Sequence, residues 1–517
     1  MILKYSYFLA IFLVCAQVSP AQERADRKVN YYTPTDQHDQ TASILSTIPA
    51  IDSIYQVYQD KYHLPGVAYG IIYNGKLIYS GNRGYSNLDK KYAVSGQSEF
   101  RIASMTKSFV STAILQLRDA GKIRLDDPAY LYIPELKNQH YLTTDAPVIT
   151  IRNLLTHSAG FPEDNPWGDR QLDISDEELL TMIKKGISFS NVPGISYEYS
   201  NMGFALLGNI IKKVSGLTYE EYINKNILQP LGMNQTYWEY TKVPEKQLAH
   251  GYRWINEKWV EQPLLHDGAY GAMGGMITSM EDFSKYVLFH LSAWPASDRK
   301  ETGPLKRSSV REMQQPWVFN NLNAEFTYER GNRVSPMTSA YGYGLRWSKD
   351  ADGRTTVGHS GGLPGFGSNW MIMPDYGLAI ITFSNHTYAP CTVINNNVLD
   401  ALIQLGKLEP LKHATSSILQ QRVSELLKLL PEWKDAERSG LFAENFFLDY
   451  YTDALKQESL ALFQNMGKIK GIKSIIPENN LRGAFVLEAE KGNILLKITL
   501  TPENPALIQH YEMQEIK

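Results

Sequence analysis

The chain has 517 residues, enough for more than one domain and a sizeable core. Hydrophobic residues make up 43% and charged residues 20%, the balance of a soluble globular protein. A formal net charge of -3 leaves no basic excess for a polyanion, so nucleic acid is not an expected partner.

The first segment reads as a targeting signal. Lys4 precedes an apolar run from Tyr5 to Ala16, and Ser19-Pro20-Ala21 supplies small residues at a cleavage site. Residues 1–21 are therefore expected to be a secretory signal, too short to span a bilayer, with cleavage near Ala21. A lipoprotein reading would use Cys15, but Val14 stands where a small residue is wanted. No later segment is long and apolar enough to cross a membrane. Cleavage leaves Cys391 alone, so no internal disulfide is expected. Such a chain fits a bacterial envelope, periplasmic or secreted, better than a disulfide-built scaffold. Cys391 is read as a buried structural residue.

Residues 22–44 are a polar lead-in. A helix is expected over 42–62, stopped by Pro65-Gly66. Two apolar runs, 67–73 and 76–80, flank Asn74-Gly75, the strongest short hairpin signal because both turn residues need positive φ. In the stretch 100–123, Phe109, Val110, Ala113, Ile114 and Leu117 recur at helical spacing and Gly121 marks the stop. That puts Ser104 at the first turn of a buried helix. Helices are expected at 175–185, 202–214, 219–228 and 280–291. A second hairpin joins 369–373 to 378–383, and a helix covers 394–405. Strands at both ends with helices between them indicate one domain, 45–408, whose sheet is built from both ends of the segment. The remainder, 409–517, reads as a small α+β unit. Its helices are expected at 416–430 and 441–466, and its strands at 472–476, 484–489, 494–500 and 508–512.

Three short motifs carry chemistry. In Ser104-Met105-Thr106-Lys107, residues three apart on a helix share a face, so Oγ and Nζ can meet. A serine hydroxyl needs a base, and a lysine serves only when desolvation or nearby positive charge keeps it neutral. A helix N-terminus also offers free N–H groups to an oxyanion. Alone, the tetrapeptide reads first as a capping serine followed by a surface lysine. Tyr199-Ser200-Asn201 offers a phenol for proton relay and an amide to hold the lysine or a carbonyl; its bland reading is a buried tyrosine and a helix-capping asparagine. His359-Ser360-Gly361-Gly362 precedes a strand, where glycines let a backbone edge approach a substrate, or simply make a turn.

The order Ser-x-x-Lys, Tyr-x-Asn, His-x-Gly resembles the three motifs of the serine β-lactamase/DD-peptidase superfamily, closest to its class C-like peptidase and esterase branch. Phe100-Arg101-Ile102-Ala103 before Ser104, Leu154-Leu155-Thr156-His157-Ser158, Pro230-Leu231-Gly232-Met233 and Gly274-Gly275-Met276 are similar to further signatures of that family. The resemblance covers about 45–405. It implies an α/β fold, an antiparallel sheet flanked by helices with a mostly helical subdomain. It implies acylation of Ser104, proton transfer by Lys107 and Tyr199, and orientation by Asn201. His359 stands where many relatives carry lysine, a departure that argues against efficient β-lactam hydrolysis. The oxyanion hole would be the backbone N–H groups of Ser104 and Gly362, with Gly361 beside them. The resemblance implies hydrolysis of a peptide, amide or ester bond in a small-molecule or peptide substrate, by an activity like that of a D-aminopeptidase, a DD-carboxypeptidase or an esterase. The alternative is a sensor or binding protein that acylates without turnover.

Gly358-His359-Ser360-Gly361-Gly362 also matches the α/β-hydrolase elbow, but that motif needs a helix directly after the serine and Leu363-Pro364-Gly365 cannot start one. His157 is read as structural, with the option of lining the cleft. His250, His266, His290 and His386 lack metal spacing, and no phosphate or dinucleotide loop appears, so neither metal nor cofactor is expected. Trp167 and the charges of 162–170 belong to a loop able to shape the substrate pocket. On fold-level similarity the C-terminal unit is compared with cystatin- or NTF2-like units, with no partner assigned.

Overall fold

The computed structural model describes residues 39–412 and 414–516; the expected signal and most of the polar lead-in lie outside them. The described chain forms two compact units, 39–411 and 412–516.

The first unit opens with a short helix, Thr41–Ser46, and α1, Ile48–Lys61. A single helix was expected here; Pro49 in the first turn of α1 has no N–H to donate, and the helix restarts at Thr47, whose Oγ1 donates back to the Ile44 carbonyl. Then come β1 (Gly66–Tyr73), β2 (Lys76–Asn87) and β3 (Tyr92–Ala93). Asn74 and Gly75 turn β1 into β2 with φ of 48° and 73°. The helical part includes α2 (Thr106–Asp119), α3 (Asn201–Ser215) and α4 (Met280–Leu291). The chain returns to the sheet through β4 (Val318–Asn323), β5 (Met337–Tyr341), β6 (Arg346–Asp350), β7 (Thr355–Leu363), β8 (Phe366–Met373) and β9 (Leu378–Ser384), and closes with α5 (Cys391–Gly406).

These nine strands form one antiparallel sheet in the order β3-β2-β1-β9-β8-β7-β6-β5-β4. First and last strands of the unit thus lie side by side, Val67 opposite Ser384 and Tyr73 opposite Leu378. Strand β1 is buried on both faces, which explains its unbroken apolar run. Val67, Tyr69, Ile71 and Tyr73 pack with α1 and α5, while Ala68 and Ile72 join the core shared with α2, α3 and α4. This is the α/β arrangement expected from the sequence. Cys391 is buried and unpaired at the start of α5.

The second unit runs through α6 (Ser417–Leu426), a short helix Phe446–Asp449 and α7 (Thr452–Met466) into an antiparallel meander, β10 (Ile469–Asn479), β11 (Arg482–Ala489), β12 (Gly492–Leu500) and β13 (Ile508–Ile516). Alternate residues of β11 and β12, including Phe485, Leu487, Leu496 and Ile498, pack on Leu419, Val423, Trp433 and Leu455. No helix among the described residues is long and apolar enough to cross a membrane.

One close approach fixes the site. A Cβ at Gly361 of β7 would lie 2.1 Å from the Ile102 carbonyl oxygen and 2.3 Å from Ser368 Oγ, which itself donates to that carbonyl at 2.8 Å. Only a bare backbone lets β7 sit this close to the turn that carries Ser104. Gly361→Ala is expected to lower stability by about 1–3 kcal/mol and to push β7 away from Ser104; denaturant unfolding, together with the rate at which an active-site-directed probe labels Ser104, checks both.

Candidate active site

Ser104 sits in a single 3-10 turn, Ala103–Met105, that leads into α2. Ala103 takes φ of 49°, a left-handed conformation uncommon for a residue with a Cβ, so the serine is presented on a bent, over-determined backbone. Ile102 bonds the Met276 carbonyl through its N–H, which anchors the turn from below. Ser104 is 6% exposed, and Lys107, one turn on, is fully buried.

Lys107 Nζ has three partners: Ser104 Oγ at 2.9 Å, Asn201 Oδ1 at 2.7 Å and the Met273 carbonyl at 2.9 Å. Asn201 Oδ1 and the Met273 oxygen can only accept. Two N–H bonds satisfy them, and a neutral amine then turns its lone pair to the Ser104 hydroxyl. Burial holds the lysine down to about 7, helped by Arg346 and opposed by Asp169 and Asp164.

Asn201 opens α3, and its position is set by a loop. Asp164 accepts from the Asn201 N–H at 2.6 Å and from the Met202 N–H at 3.0 Å, capping α3 in place of Ser200, whose own side chain makes no cap bond. Asn165 Oδ1 accepts from Asn201 Nδ2 at 3.0 Å, which turns Oδ1 toward the lysine. Tyr199 is buried, with Lys107 Nζ 4.9 Å and the Arg346 guanidinium 5.3 Å from its ring centroid. Burial pushes the phenol well above its ordinary value, against the pull of Arg346 and of a hydrogen bond with Ser104. It is therefore a proton donor near neutrality, not a phenolate.

His157 and His359 flank this group from behind. His157 Nδ1 accepts the Ser200 N–H at 3.1 Å, and its ring lies 4.2 Å from that of Tyr199. His359 Nδ1 donates to the Ser360 carbonyl at 2.6 Å, which leaves Nε2 to accept the Tyr341 hydroxyl at 2.8 Å. Burial keeps both histidines far below the ordinary imidazole range, hence neutral.

A cavity of about 340 Å³ opens in front of Ser104, lined by Asn165, Pro166, Asp169, Tyr199, Arg346, Ser360, Gly362 and Tyr388. Of the residues expected from the motifs, Ser104, Lys107, Tyr199 and Asn201 are brought together and Gly362 reaches the wall. Gly361 faces the Ile102 carbonyl instead, and the His359 ring lies a layer behind, both nitrogens engaged. Ser360 lies within β7 and is followed by strand β8, so the strand-turn-helix of a hydrolase elbow is absent there. Beyond the pair Arg346–Gly358, β7 runs past the start of β6. Trp167 is half exposed and meets Tyr270 edge-on; its loop contributes Asn165, Pro166 and Asp169 to the wall. Asp164, Asn165, Asp169, Arg346 and Tyr388 were not singled out by the motifs, and only the loop 162–170 carried a sequence signal. No group of three or more potential metal ligands occurs among the described residues.

The chain belongs to the Beta-lactamase family, whose model matches residues 51–404, and so to the β-lactamase-fold serine hydrolases. It is 28% identical over 392 residues to Protein flp of Staphylococcus aureus, covering 74% of this chain and 69% of that one. It is 30% identical over 275 residues to Beta-lactamase-like protein 2 of Dictyostelium discoideum, covering 52% and 50%. Its fold is similar to that of the octameric penicillin-binding protein homologue from Pyrococcus abyssi, with TM-score 0.59 and 23% identity over 90% of this chain and 99% of that one. It is also similar to a penicillin binding protein from Bacillus halodurans, with TM-score 0.52 and 22% identity over 68% and 98%.

Removing the carboxylate that caps α3 tests how the loop holds Asn201. Asp164→Ala is expected to cost about 1–2 kcal/mol, the upper range for a lost cap, seen as a lower midpoint in urea unfolding.

Proposed function

We propose that the protein is an exported serine hydrolase that cleaves an amide, peptide or ester bond through an acyl-enzyme on Ser104. The observation that carries this reading is the Lys107 nitrogen, buried, held near neutral and 2.9 Å from the serine hydroxyl. As the substrate carbonyl enters the cavity, the Ser104 proton passes to Nζ and Oγ bonds the carbonyl carbon. The oxyanion is received by the backbone N–H groups of Ser104 and Gly362. When the intermediate collapses, the carbon–nitrogen or carbon–oxygen bond breaks and the leaving group takes a proton from Tyr199, which Lys107 restores. Water then repeats the sequence on the acyl-enzyme and releases the acid and Ser104.

Asn201 orients the lysine. His359, tied to Tyr341 and to the Ser360 carbonyl, stiffens the β7 edge and supplies no cation where relatives with lysine would have one. Peptides, amides and esters are therefore favoured over β-lactams as substrates. The steps above call on no metal or cofactor. The short positive and apolar pattern of residues 1–21 supports export to the periplasm or beyond the cell.

Intact-mass measurement after treatment with a fluorophosphonate tests the assignment. Wild type and Ser360→Ala should each gain one adduct and Ser104→Ala none. Labelling of Ser104→Ala with loss in Ser360→Ala would move the nucleophile. An acyl-enzyme that forms with amides and esters but never turns over would make the protein a sensor.

A further inference from the structure

The C-terminal unit contains a cavity of about 860 Å³ in which the Ser104 chemistry has no part. It forms where α7 gives way to β10. Gly467 takes φ of 76°, a conformation open to glycine, and its N–H closes the helix on the Phe463 carbonyl at 2.8 Å. The turn from β11 to β12 is fastened to the same corner: the Glu490 N–H donates to the Lys468 carbonyl at 3.1 Å and the Lys491 N–H to the Met466 carbonyl at 2.9 Å. Leu427, Leu430 and Pro431, which follow α6, line the hollow together with Leu460, Phe463 and Ile469.

These six apolar side chains are only partly covered by the rest of the unit. Apolar surface left against water is unfavourable in proportion to its area. The polar lining has the opposite character. Lys468, Lys470 and Lys491 are exposed, and none of the three has an ion-pair partner among the described residues, unlike Lys456 and Lys497 of the same unit. The one acid in the lining, Glu490, lies against Gly467, where a Cβ would come within 2.4 Å of its Oε2. An apolar hollow bordered by an excess of ammonium groups complements a ligand with a hydrocarbon body and one anionic end.

We propose that this cavity binds a single-chain fatty carboxylate from solution, the chain against the apolar lining and the carboxylate among Lys468, Lys470 and Lys491. The site is separate from the Ser104 acyl-transfer reading and does not depend on it. Its volume lies within the range of small-ligand sites, roughly 300–1,000 Å³, and suits one acyl chain. A bilayer lipid brings two chains and a phosphate headgroup and would leave much of itself outside. The chain supplies affinity through the water it displaces, and the lysines select the sign of the head.

Titration calorimetry of the full chain with dodecanoate, kept below the concentration at which it forms micelles, is the test. Dodecanoate should bind saturably, one per chain, and dodecyltrimethylammonium at least about tenfold more weakly. Affinity should fall from dodecanoate to decanoate to octanoate by about two- to fourfold per methylene. The double variant Lys468→Glu/Lys491→Glu should weaken dodecanoate by about tenfold, the upper scale of two exposed charge pairs lost; its thermal midpoint without ligand reports the fold separately. A second measurement needs no variant: a diazirine-bearing fatty acid, photolysed on wild type and mapped by peptide mass, should mark residues 427–431 and 460–471. Absence of saturable dodecanoate binding overturns the proposal, as does a cationic chain that binds equally well. So does a crosslink confined to other segments, or attachment to phosphatidylglycerol vesicles without binding of the free acid.

Discussion

Lys107 spends its side chain entirely inside the protein, and its nitrogen meets one hydroxyl and two oxygens that can only accept. Charging it there means losing hydration that two neutral dipoles only partly replace, and this holds the amine down to about 7. Everything else in the site can be understood as keeping that geometry. The Ala103 bend and the Ile102 anchor aim Ser104 at the nitrogen. The Met273 carbonyl, just ahead of Gly274-Gly275, supplies one acceptor. Asp164 and Asn165, both from one loop, hold Asn201 so that its oxygen and not its amide faces the lysine.

The same desolvation sorts the roles of the neighbouring groups. Tyr199, with its phenol pushed up by burial, keeps its proton, and the two histidines behind it, pushed down by burial, stay neutral. One neutral amine beside one protonated phenol is a division of labour that acyl transfer needs, a base for the nucleophile and an acid for the leaving group. The sheet supplies the opposite wall. It can do so only because Gly361 lets β7 lie against the Ile102 carbonyl and Gly362 leaves room for the Tyr388 ring.

Much of this was legible in the sequence. The helical spacing of apolar residues in α2 and the Asn74-Gly75 turn declared themselves locally, and the order of the three motifs pointed to the family. What stayed hidden was in part local backbone detail and in part contacts between distant segments. The break at Thr47 follows from one proline inside an otherwise helical pattern. Strand β10 is longer than its apolar core at 472–476 because most of its side chains face water and leave no alternation to read. The segment 441–466 looked like one helix, whereas Tyr450 leaves the helical region between Phe446–Asp449 and α7. Asp164, Asp169 and Arg346 have ordinary sequence surroundings; only folding brings the loop 162–170 and the start of β6 to the same cavity. His359 was placed by motif order, which cannot say that Tyr341 and the Ser360 carbonyl would take both of its nitrogens.

The rate of Ser104 acylation as a function of pH tests the central claim, a neutral buried lysine as the base. If deprotonated Lys107 is the acting form, the observed rate constant for fluorophosphonate labelling rises with pH, with a midpoint near 7, and is flat above it. A profile that keeps rising toward pH 10, the range of an ordinary lysine, or that shows no ascending limb at all, would contradict it.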